Sequence, residues 1–199
     1  MIPPVRERND NIVWLTKHLS RLCLSPFFRI QTEGLENLPV RRSFILTPKH
    51  QRWEDIPLLS ISAPRPLYYI AKEELFINPF TRWVLSSLGG LPVNRSRPLE
   101  SRESFKRMMK CLKAGEGVVI FPEGTYFKDK VGPGRSGLIK MIRSRESIPF
   151  IPVGINYAKT GRPTRVRIRI GKPVRDDPSM TAAAFMGRIM KDIERLSGF

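Results

Sequence analysis

The sequence has few cysteines and no long run of apolar residues. Cys23 and Cys111 are its two cysteines. They form no CxxC pair and lie among apolar residues, so we expect buried free thiols in a reducing compartment. No stretch approaches the roughly 20 apolar residues that span a bilayer. Residues 1–11 lack the apolar region of a secretory signal. We therefore expect no transmembrane helix and no secretory signal.

Acidic residues are scarce beside the basic ones. There are 18 Asp and Glu against 35 Lys and Arg, which gives a formal net charge of +17. Such an excess attracts nucleic acid, anionic lipid headgroups or phosphorylated substrates. The sequence has no zinc-ligand spacing, no RNA-binding aromatic signature and no basic helix-turn-helix pattern. A non-enzymatic protein that binds nucleic acid or anionic lipid is therefore an alternative that only the charge suggests. Because the nucleic-acid-binding motifs are missing, we expect no specific nucleic acid partner.

The pattern of apolar residues predicts alternating helices and strands. The length of 199 residues favours one domain. Helical spacing predicts a basic amphipathic helix over 11–28, capped by Asp10 or Asn11. We predict a single-domain α/β sandwich with a mixed, largely parallel sheet flanked by helices. Its predicted strands are 29–33, 43–47, 67–71, 91–93, 117–121, 150–157 and 166–170, and its later helices 56–62, 79–88, 100–114, 138–145 and 182–197.

The N-terminal helix has two interpretations. A basic amphipathic helix with aromatic residues near its ends can lie in a membrane interface. It can also dock its apolar face against the protein's own core. The two are compatible if each face serves one purpose.

His50 and Asp55 are candidates for acid–base chemistry. His50 follows the predicted strand 43–47. In a continuous helix two residues five apart would stand about 140° apart, so the pair can meet only if His50 lies in a loop. Asp55 would then open the next helix, where Pro57 is tolerated. A carboxylate that binds one imidazole nitrogen lets the other take a proton from a hydroxyl. The alternative is an ordinary loop histidine and a helix-capping aspartate.

Two further loops carry polar residues after predicted strands or helices. In the loop 89–97 a glycine pair permits close backbone approach, and Arg95 and Arg97 suit phosphate. In the loop 121–126 Glu123 and Thr125 offer a carboxylate and a hydroxyl. The alternatives are a helix end with solvated arginines and a plain βα turn.

These segments, taken in order, resemble the motifs of a known family. His50-x4-Asp55, Gly-Gly-Leu-Pro-Val-Asn-Arg-Ser at 89–96, Phe-Pro-Glu-Gly-Thr at 121–125 and Ile-Pro-Phe-Ile-Pro-Val-Gly at 148–154 are similar to the four ordered motifs of glycerolipid acyltransferases. The sequence most resembles the 1-acyl-sn-glycerol-3-phosphate acyltransferase family, over about half of the chain. The segment 32–39 resembles the family's lead-in.

The resemblance implies a reaction. An acyl chain would pass from acyl-CoA or acyl carrier protein to the hydroxyl of a lysophospholipid, chiefly 1-acyl-glycerol 3-phosphate, giving phosphatidic acid in phospholipid biosynthesis. A lyso-aminolipid or glycerol 3-phosphate is the alternative acceptor. No metal and no cofactor besides the acyl donor is implied.

The resemblance also implies site residues. His50 would be the general base and Asp55 its orienting partner. Arg95 would bind the acceptor's phosphate, and Lys72 is a second phosphate candidate or a solvated lysine at a strand end. The fourth motif would shape the pocket or acyl channel. The remaining acceptor-binding residues would be Glu123, Gly124 and Thr125.

One position departs from the family pattern. The family usually has an arginine after Glu-Gly-Thr, and this sequence has Tyr126. Either Arg52, Arg95 or Arg97 supplies the missing charge, or the acceptor lacks a phosphate monoester.

The resemblance and the composition together predict an organisation. Residues 1–30 would form a membrane-facing amphipathic helix, and 31–199 the acyltransferase domain with its motif core at 44–157. The protein would lie peripherally on the cytoplasmic face of an anionic membrane surface.

Overall fold

The alternation of helices and strands is confirmed in a computed structural model, which describes residues 7–94, 102–143, 148–158 and 161–199. Most predicted ends lie within about two residues of the observed ones, as is usual for helix and strand boundaries. The elements are α1 Asp10–Leu24, β1 Phe28–Glu33, β2 Phe44–Pro48, α2 Asp55–Ser62, β3 Leu67–Lys72, α3 Pro79–Ser87, β4 Gly90–Val93, α4 Arg102–Lys113, β5 Gly117–Val119, α5 Gly137–Arg143, β6 Phe150–Ala158, β7 Thr164–Ile170 and α6 Ala182–Ser197.

Within the described ranges, seven strands form one sheet in the order β1-β7-β6-β2-β5-β3-β4. The pair β6 and β7 is antiparallel, and the other pairs are parallel. The prediction of a mixed, largely parallel sheet is therefore confirmed. Strand β2 lies near the centre, and all five of its residues are buried, as expected of a parallel strand covered on both faces.

Alternate residues of the strands enter two apolar cores on opposite faces of the sheet. On β2, Ile45 belongs to one core, while Phe44 and Leu46 belong to the other. The first core also contains side chains of α4, α5 and α6. The second contains Leu58 and Leu59 of α2, against which α1 packs. The fold is thus a sheet between two helical layers, with α1 on the side of α2.

Helix α1 is shorter than predicted and is capped by a different residue. It ends at Leu24 rather than at Phe28, and Asn9 caps it instead of Asp10 or Asn11. Its inner face is fixed by Lys17, which donates to the carbonyl of Ala63 at 2.6 Å. Its outer face exposes apolar side chains, and Cys23 is exposed as well, contrary to expectation. No helix among the described residues is long and apolar enough to cross a membrane.

The fourth motif lies in β6 and belongs to the packed interior. Ile151 and Val153 are fully buried in the core. A Cβ on Gly154 would stand 2.2 Å from the backbone of Leu196, so this glycine lets α6 approach the sheet. These contacts give the motif a packing purpose in addition to any contact with a ligand.

The register of the parallel strands determines where the loops meet. Leu46 of β2 pairs with Val119 of β5, and Pro48 of β2 pairs with Val153 of β6. The carboxyl ends of parallel strands lie at one edge of the sheet, where sites of α/β proteins collect. The segments after β2 and β5 therefore start side by side at this edge.

Candidate active site

His50 and Asp55 meet in the structure as the sequence predicted. His50 lies in the loop after β2, and Asp55 is the first residue of α2. Nδ1 of His50 lies 3.1 Å from Oδ2 of Asp55. A carboxylate only accepts hydrogen bonds, so Nδ1 carries the proton. Nε2 is then the unprotonated nitrogen, and it has no hydrogen-bond partner among the described residues.

The carboxylate of Asp55 is fully buried and accepts four hydrogen bonds. Besides His50, the backbone N–H groups of Gln51 and Arg52 donate to Oδ2 at 2.6 and 2.8 Å. The hydroxyl of Tyr157 donates to Oδ1 at 2.6 Å. The side chain therefore ties the loop before α2 instead of capping the helix. These donors stabilise a charged carboxylate away from water.

Tyr157 reaches Asp55 from β6, the strand that carries the fourth motif. Burial raises the pKa of the Tyr157 phenol well above its usual range, and the neighbouring Asp55 raises it further. The phenol thus stays protonated and remains a donor to the carboxylate. Arg52 places its guanidinium 4.6 Å from the centre of the Tyr157 ring. The tyrosine joins β6 to the histidine loop.

Two aromatic rings flank the imidazole of His50. The ring of Phe121 stacks on it with centroids 3.8 Å apart. The ring of Tyr126 lies at 4.4 Å from it, and Tyr126 is 53% exposed. The imidazole thus contacts two aromatic rings, and only 11% of the His50 side chain is exposed. Tyr126 forms part of the mouth of the site.

A buried ion pair joins the loop of His50 to the loop of Glu123. Nζ of Lys49 lies 2.9 Å from both carboxylate oxygens of Glu123, and both side chains are 0% exposed. The same ammonium donates to the carbonyls of His50 and Phe127 at 3.0 and 2.6 Å. Burial lowers the pKa of Lys49, and the hydrogen bonds to Glu123 oppose that shift.

Glu123 differs from the expectation of an acceptor ligand. Its carboxylate also accepts from the backbone N–H groups of His50 at 2.8 Å and of Gly132 at 2.6 Å. Both oxygens are thus engaged by the protein, and the residue is 2% exposed. Its contacts make Glu123 a positioning residue, which fixes the backbone of the histidine loop.

The other predicted residues lie around this centre in different ways. Gly124 is buried with a positive φ of 68°, and Thr125 is exposed beside it. Lys72 is exposed at the end of β3, in register with Val93 of β4. Arg95 and Arg97 lie outside the described residues. Of the phosphate candidates within the described ranges, Arg52 has a direct contact with the dyad, because its backbone N–H donates to Asp55.

An apolar cavity of about 280 Å³ opens beside the Glu123 loop. It lies on the sheet face of α4 and α5, and Phe121 and Gly124 connect it to the His50 loop. Its apolar wall is formed by Ile70, Phe105, Met108, Ile120, Leu138 and Met141.

Sequence reasoning missed Lys49, Tyr157 and Gln51. The amide of Gln51 donates to the carbonyl of Ile155 and accepts from the N–H of Asp129. Lys49 and Gln51 flank His50 and are buried, although both residue types are mostly exposed in proteins. Tyr157 stands 102 positions from its partner Asp55. The density of polar residues around His50 was a signal, but it did not say which of them turn inward.

We expect the Lys49→Met variant to unfold more easily because it leaves the charge of Glu123 buried without its partner. Breaking such a pair costs about 3–5 kcal/mol. Chemical denaturation measures the free energy of unfolding, and Lys49→Met/Glu123→Gln should recover part of the loss. Lys128→Met, an exposed lysine of the same loop, serves as the control. Equal unfolding free energies for Lys49→Met and Lys128→Met would contradict the prediction.

The chain is similar to known acyltransferases. The acyltransferase family model matches residues 29–156. The 1-acyl-sn-glycerol-3-phosphate acyltransferase of Bacillus subtilis is 31% identical over 150 residues, 73% of each chain. The chloroplastic enzyme of that name from Brassica napus is 30% identical over 172 residues, which are 81% of this chain and 49% of the relative. A lyso-ornithine lipid O-acyltransferase of Pseudomonas aeruginosa is 29% identical over 163 residues, 81% of this chain and 58% of the relative.

A solved structure has the same fold. The crystal structure of the 1-acyl-sn-glycerophosphate acyltransferase PlsC from Thermotoga maritima aligns with a TM-score of 0.74 and 26% identity, covering 94% of this chain and 78% of that one. The chain spans about half the length of the plant relatives. The family match covers the strands and loops that hold His50, Asp55, Glu123 and Tyr126, and on that basis the chain belongs to the acyltransferase family.

Proposed function

We propose that the protein is an O-acyltransferase that moves a fatty acyl chain from a thioester donor to the hydroxyl of a lysophospholipid. Acyl-CoA and acyl carrier protein are the candidate donors, and 1-acyl-glycerol 3-phosphate is the leading acceptor. The observation that carries the proposal is the buried His50–Asp55 pair with Nε2 left for a substrate. Relatives of this family are named for this acceptor.

The geometry supports a single-displacement reaction. Nε2 of His50 takes the proton of the acceptor's hydroxyl as its oxygen attacks the thioester carbonyl. The new C–O bond forms, the C–S bond breaks, and the imidazolium returns its proton to the departing thiolate. Asp55 stabilises the imidazolium through Nδ1. The chain needs no covalent intermediate for this sequence of steps.

The acyl chain requires an apolar space beside His50. The cavity of about 280 Å³ behind Phe121 and Gly124 supplies one, with aliphatic and aromatic walls. Burying methylene groups there contributes about 0.8 kcal/mol each. We assign this cavity to the acyl chain that is transferred.

A second acceptor is favoured by one residue. Tyr126 occupies the mouth of the site, where an arginine would bind a phosphate monoester. Several relatives are named lyso-ornithine lipid O-acyltransferases, so a lyso-aminolipid is the second candidate. If the acceptor carries a phosphate, we propose that Arg95 and Arg52 bind it. The guanidinium of Arg52 lies over the ring of Tyr157.

The exposed apolar side chains support contact with a membrane on the side of α1. Trp14 of α1 is 62% exposed, Phe80 of α3 is 70% exposed, and Trp53 next to the dyad is 62% exposed. Helices α1 and α3 contact each other, and the neighbouring apolar residues Leu15, Leu19, Leu22, Ile56, Leu75, Ile77 and Trp83 are exposed as well. A lipid acceptor would then enter the site directly from the membrane surface.

Replacement of the base tests the reaction. We expect native protein to release thiol from acyl-CoA or acyl carrier protein only when a lysophospholipid is added. His50→Ala should reduce this rate at least about 100-fold, the usual contribution of acid–base catalysis. Asp55→Asn should be similarly slow, and Tyr157→Phe intermediate, because Asp55 keeps its other donors. Undiminished acceptor-dependent turnover by folded His50→Ala would rule out the proposed base.

Replacement of Tyr126 tests the acceptor. With 1-acyl-glycerol 3-phosphate, Tyr126→Arg should lower KM at least about tenfold, since a charge-assisted hydrogen bond contributes about 1.5–3 kcal/mol. KM for lyso-ornithine lipid should not fall, and Tyr126→Phe is the matched control. Initial rates with both acceptors provide the measurement. If native protein acylates lyso-ornithine lipid faster than 1-acyl-glycerol 3-phosphate, the second candidate replaces the first.

Membrane contact is tested by removing apolar side chains from the outer face of α1. Trp14→Ser/Leu19→Ser should reduce co-sedimentation with vesicles of phosphatidylglycerol and phosphatidylcholine at least about tenfold, because each buried leucine or aromatic side chain contributes about 1.5–3 kcal/mol. Val40→Ser removes a residue that is 82% exposed elsewhere and serves as the control. Equal vesicle binding by both variants would place the contact elsewhere.

A further inference from the structure

One face of the strand pair β1 and β7 is uncovered and basic. Phe28 and Ile30 of β1 pack against the core on the side of α2. Arg29 of β1 points the other way because successive side chains of a strand alternate. Arg165 and Arg167 of β7 share its face, and all three arginines are exposed. Helix α6 packs mainly on the neighbouring strand β6 and less on β7, so among the described residues the Arg29–Arg165 end of this face stays exposed.

The basic charge on this face is concentrated at one end. Arg167 and Arg169 share the carboxylate of Glu33, at 3.5 and 3.3 Å. Arg29 and Arg165 stand directly opposite each other in the strand register, and the ion pairs of the described residues include neither. Like charges that face each other across strands are destabilising. The facing pair Arg29 and Arg165 therefore carries a repulsion that no ion pair of the described residues relieves.

The charged end is also the active-site end of the sheet. Arg165 pairs with Ala158, which follows Tyr157, the hydrogen-bond donor to Asp55. Strand β7 stands two strands from β2 in the sheet, which is a lateral separation of about 10 Å at the usual strand spacing of about 4.8 Å. The register also places Arg165 opposite Ala158, five residues along β6 from Val153, the partner of Pro48, or about 17 Å along the strand. An anionic group on Arg29 and Arg165 would thus lie within reach of a flexible arm that ends at His50.

The position of this face indicates which anionic partner it binds: a membrane, a small ligand or an acidic protein. The exposed apolar side chains of α1 belong to the helical layer on the opposite side of the sheet. A membrane that contacts α1 is therefore turned away from Arg29 and Arg165. The three arginines are exposed side chains of two paired strands, whereas small ligands such as nucleotides bind mostly in concave pockets. An acidic protein surface fits the exposure and the charge of this face.

We propose that the face of Arg29, Arg165 and Arg167 docks an acidic carrier protein that presents the acyl chain as a thioester on a flexible arm. This inference rests on the proposed acyltransferase function and adds where the donor's carrier binds. The carrier approaches from one side of the sheet while the acceptor enters from the membrane on the other side. The thioester then reaches His50 over the carboxyl ends of β6 and β2.

Charge reversal on this face separates the carrier from the thioester itself. The Arg29→Glu/Arg165→Glu variant should raise KM for acyl carrier protein donors more than tenfold and flatten the dependence of KM on salt. Its kcat/KM with acyl-CoA of the same chain length should stay within twofold of native. Arg188→Glu/Lys191→Glu on the exposed face of α6 makes the same change in net charge and serves as the control. Thermal unfolding of both variants checks that they remain folded.

Each other outcome has a definite meaning. Equal losses with both donors, or equal losses in the α6 control, would overturn the docking face. Native protein that uses acyl-CoA but no acyl carrier protein would overturn it too, while leaving the proposed function intact. Native protein that turns over neither donor with any acceptor would instead overturn the proposed function.

Discussion

The ion pair between Lys49 and Glu123 holds together the two loops on which the site depends. Both side chains are completely buried, and taking two charges out of water is costly. The cost is offset by many hydrogen bonds: the ammonium contacts two backbone carbonyls, and the carboxylate accepts from two backbone N–H groups. Two of those bonds are made to the carbonyl and the N–H of His50, so they fix its backbone. The position of the imidazole therefore depends on an ion pair that is buried away from solvent.

Asp55 fixes the position of the His50 side chain, as the ion pair fixes its backbone. Its carboxylate is held by the N–H groups of Gln51 and Arg52 and by the hydroxyl of Tyr157. These bonds fix its position before it meets Nδ1 of the imidazole. Gln51 and Arg52 lie in the loop after β2, and Tyr157 lies in β6, which is the neighbour of β2 in the sheet. The pairing of β2 with β6 therefore brings the hydroxyl of Tyr157 to the carboxylate that orients His50.

The sequence predicted the elements well because buried strands and amphipathic helices have strong local patterns. The meeting of His50 and Asp55 was also predictable, since Pro57 marks a helix that starts at Asp55. The inward direction of Lys49 was not predictable, because it depends on Glu123 in another loop. The prediction that Cys23 is buried was wrong because it too depended on a tertiary contact. The packing of α1 on α2 decides which face of the helix is exposed, and Cys23 lies on the exposed face.

The departure at Tyr126 leads to a consistent physical picture. An arginine at this position would stand beside His50, and its charge would disfavour protonation of the imidazole. Tyrosine packs on the ring without that charge, at 4.4 Å. Burial and the neighbouring Asp55 raise the pKa of Tyr126, so the phenol stays neutral there. The base thus keeps an uncharged, partly apolar surrounding on the side of Tyr126. Under the proposed function, a phosphate on the acceptor needs a ligand other than the residue at position 126, and Arg52 and Arg95 are the proposed ones. The choice of acceptor then depends on those arginines, whereas the surroundings of the base depend on Tyr126.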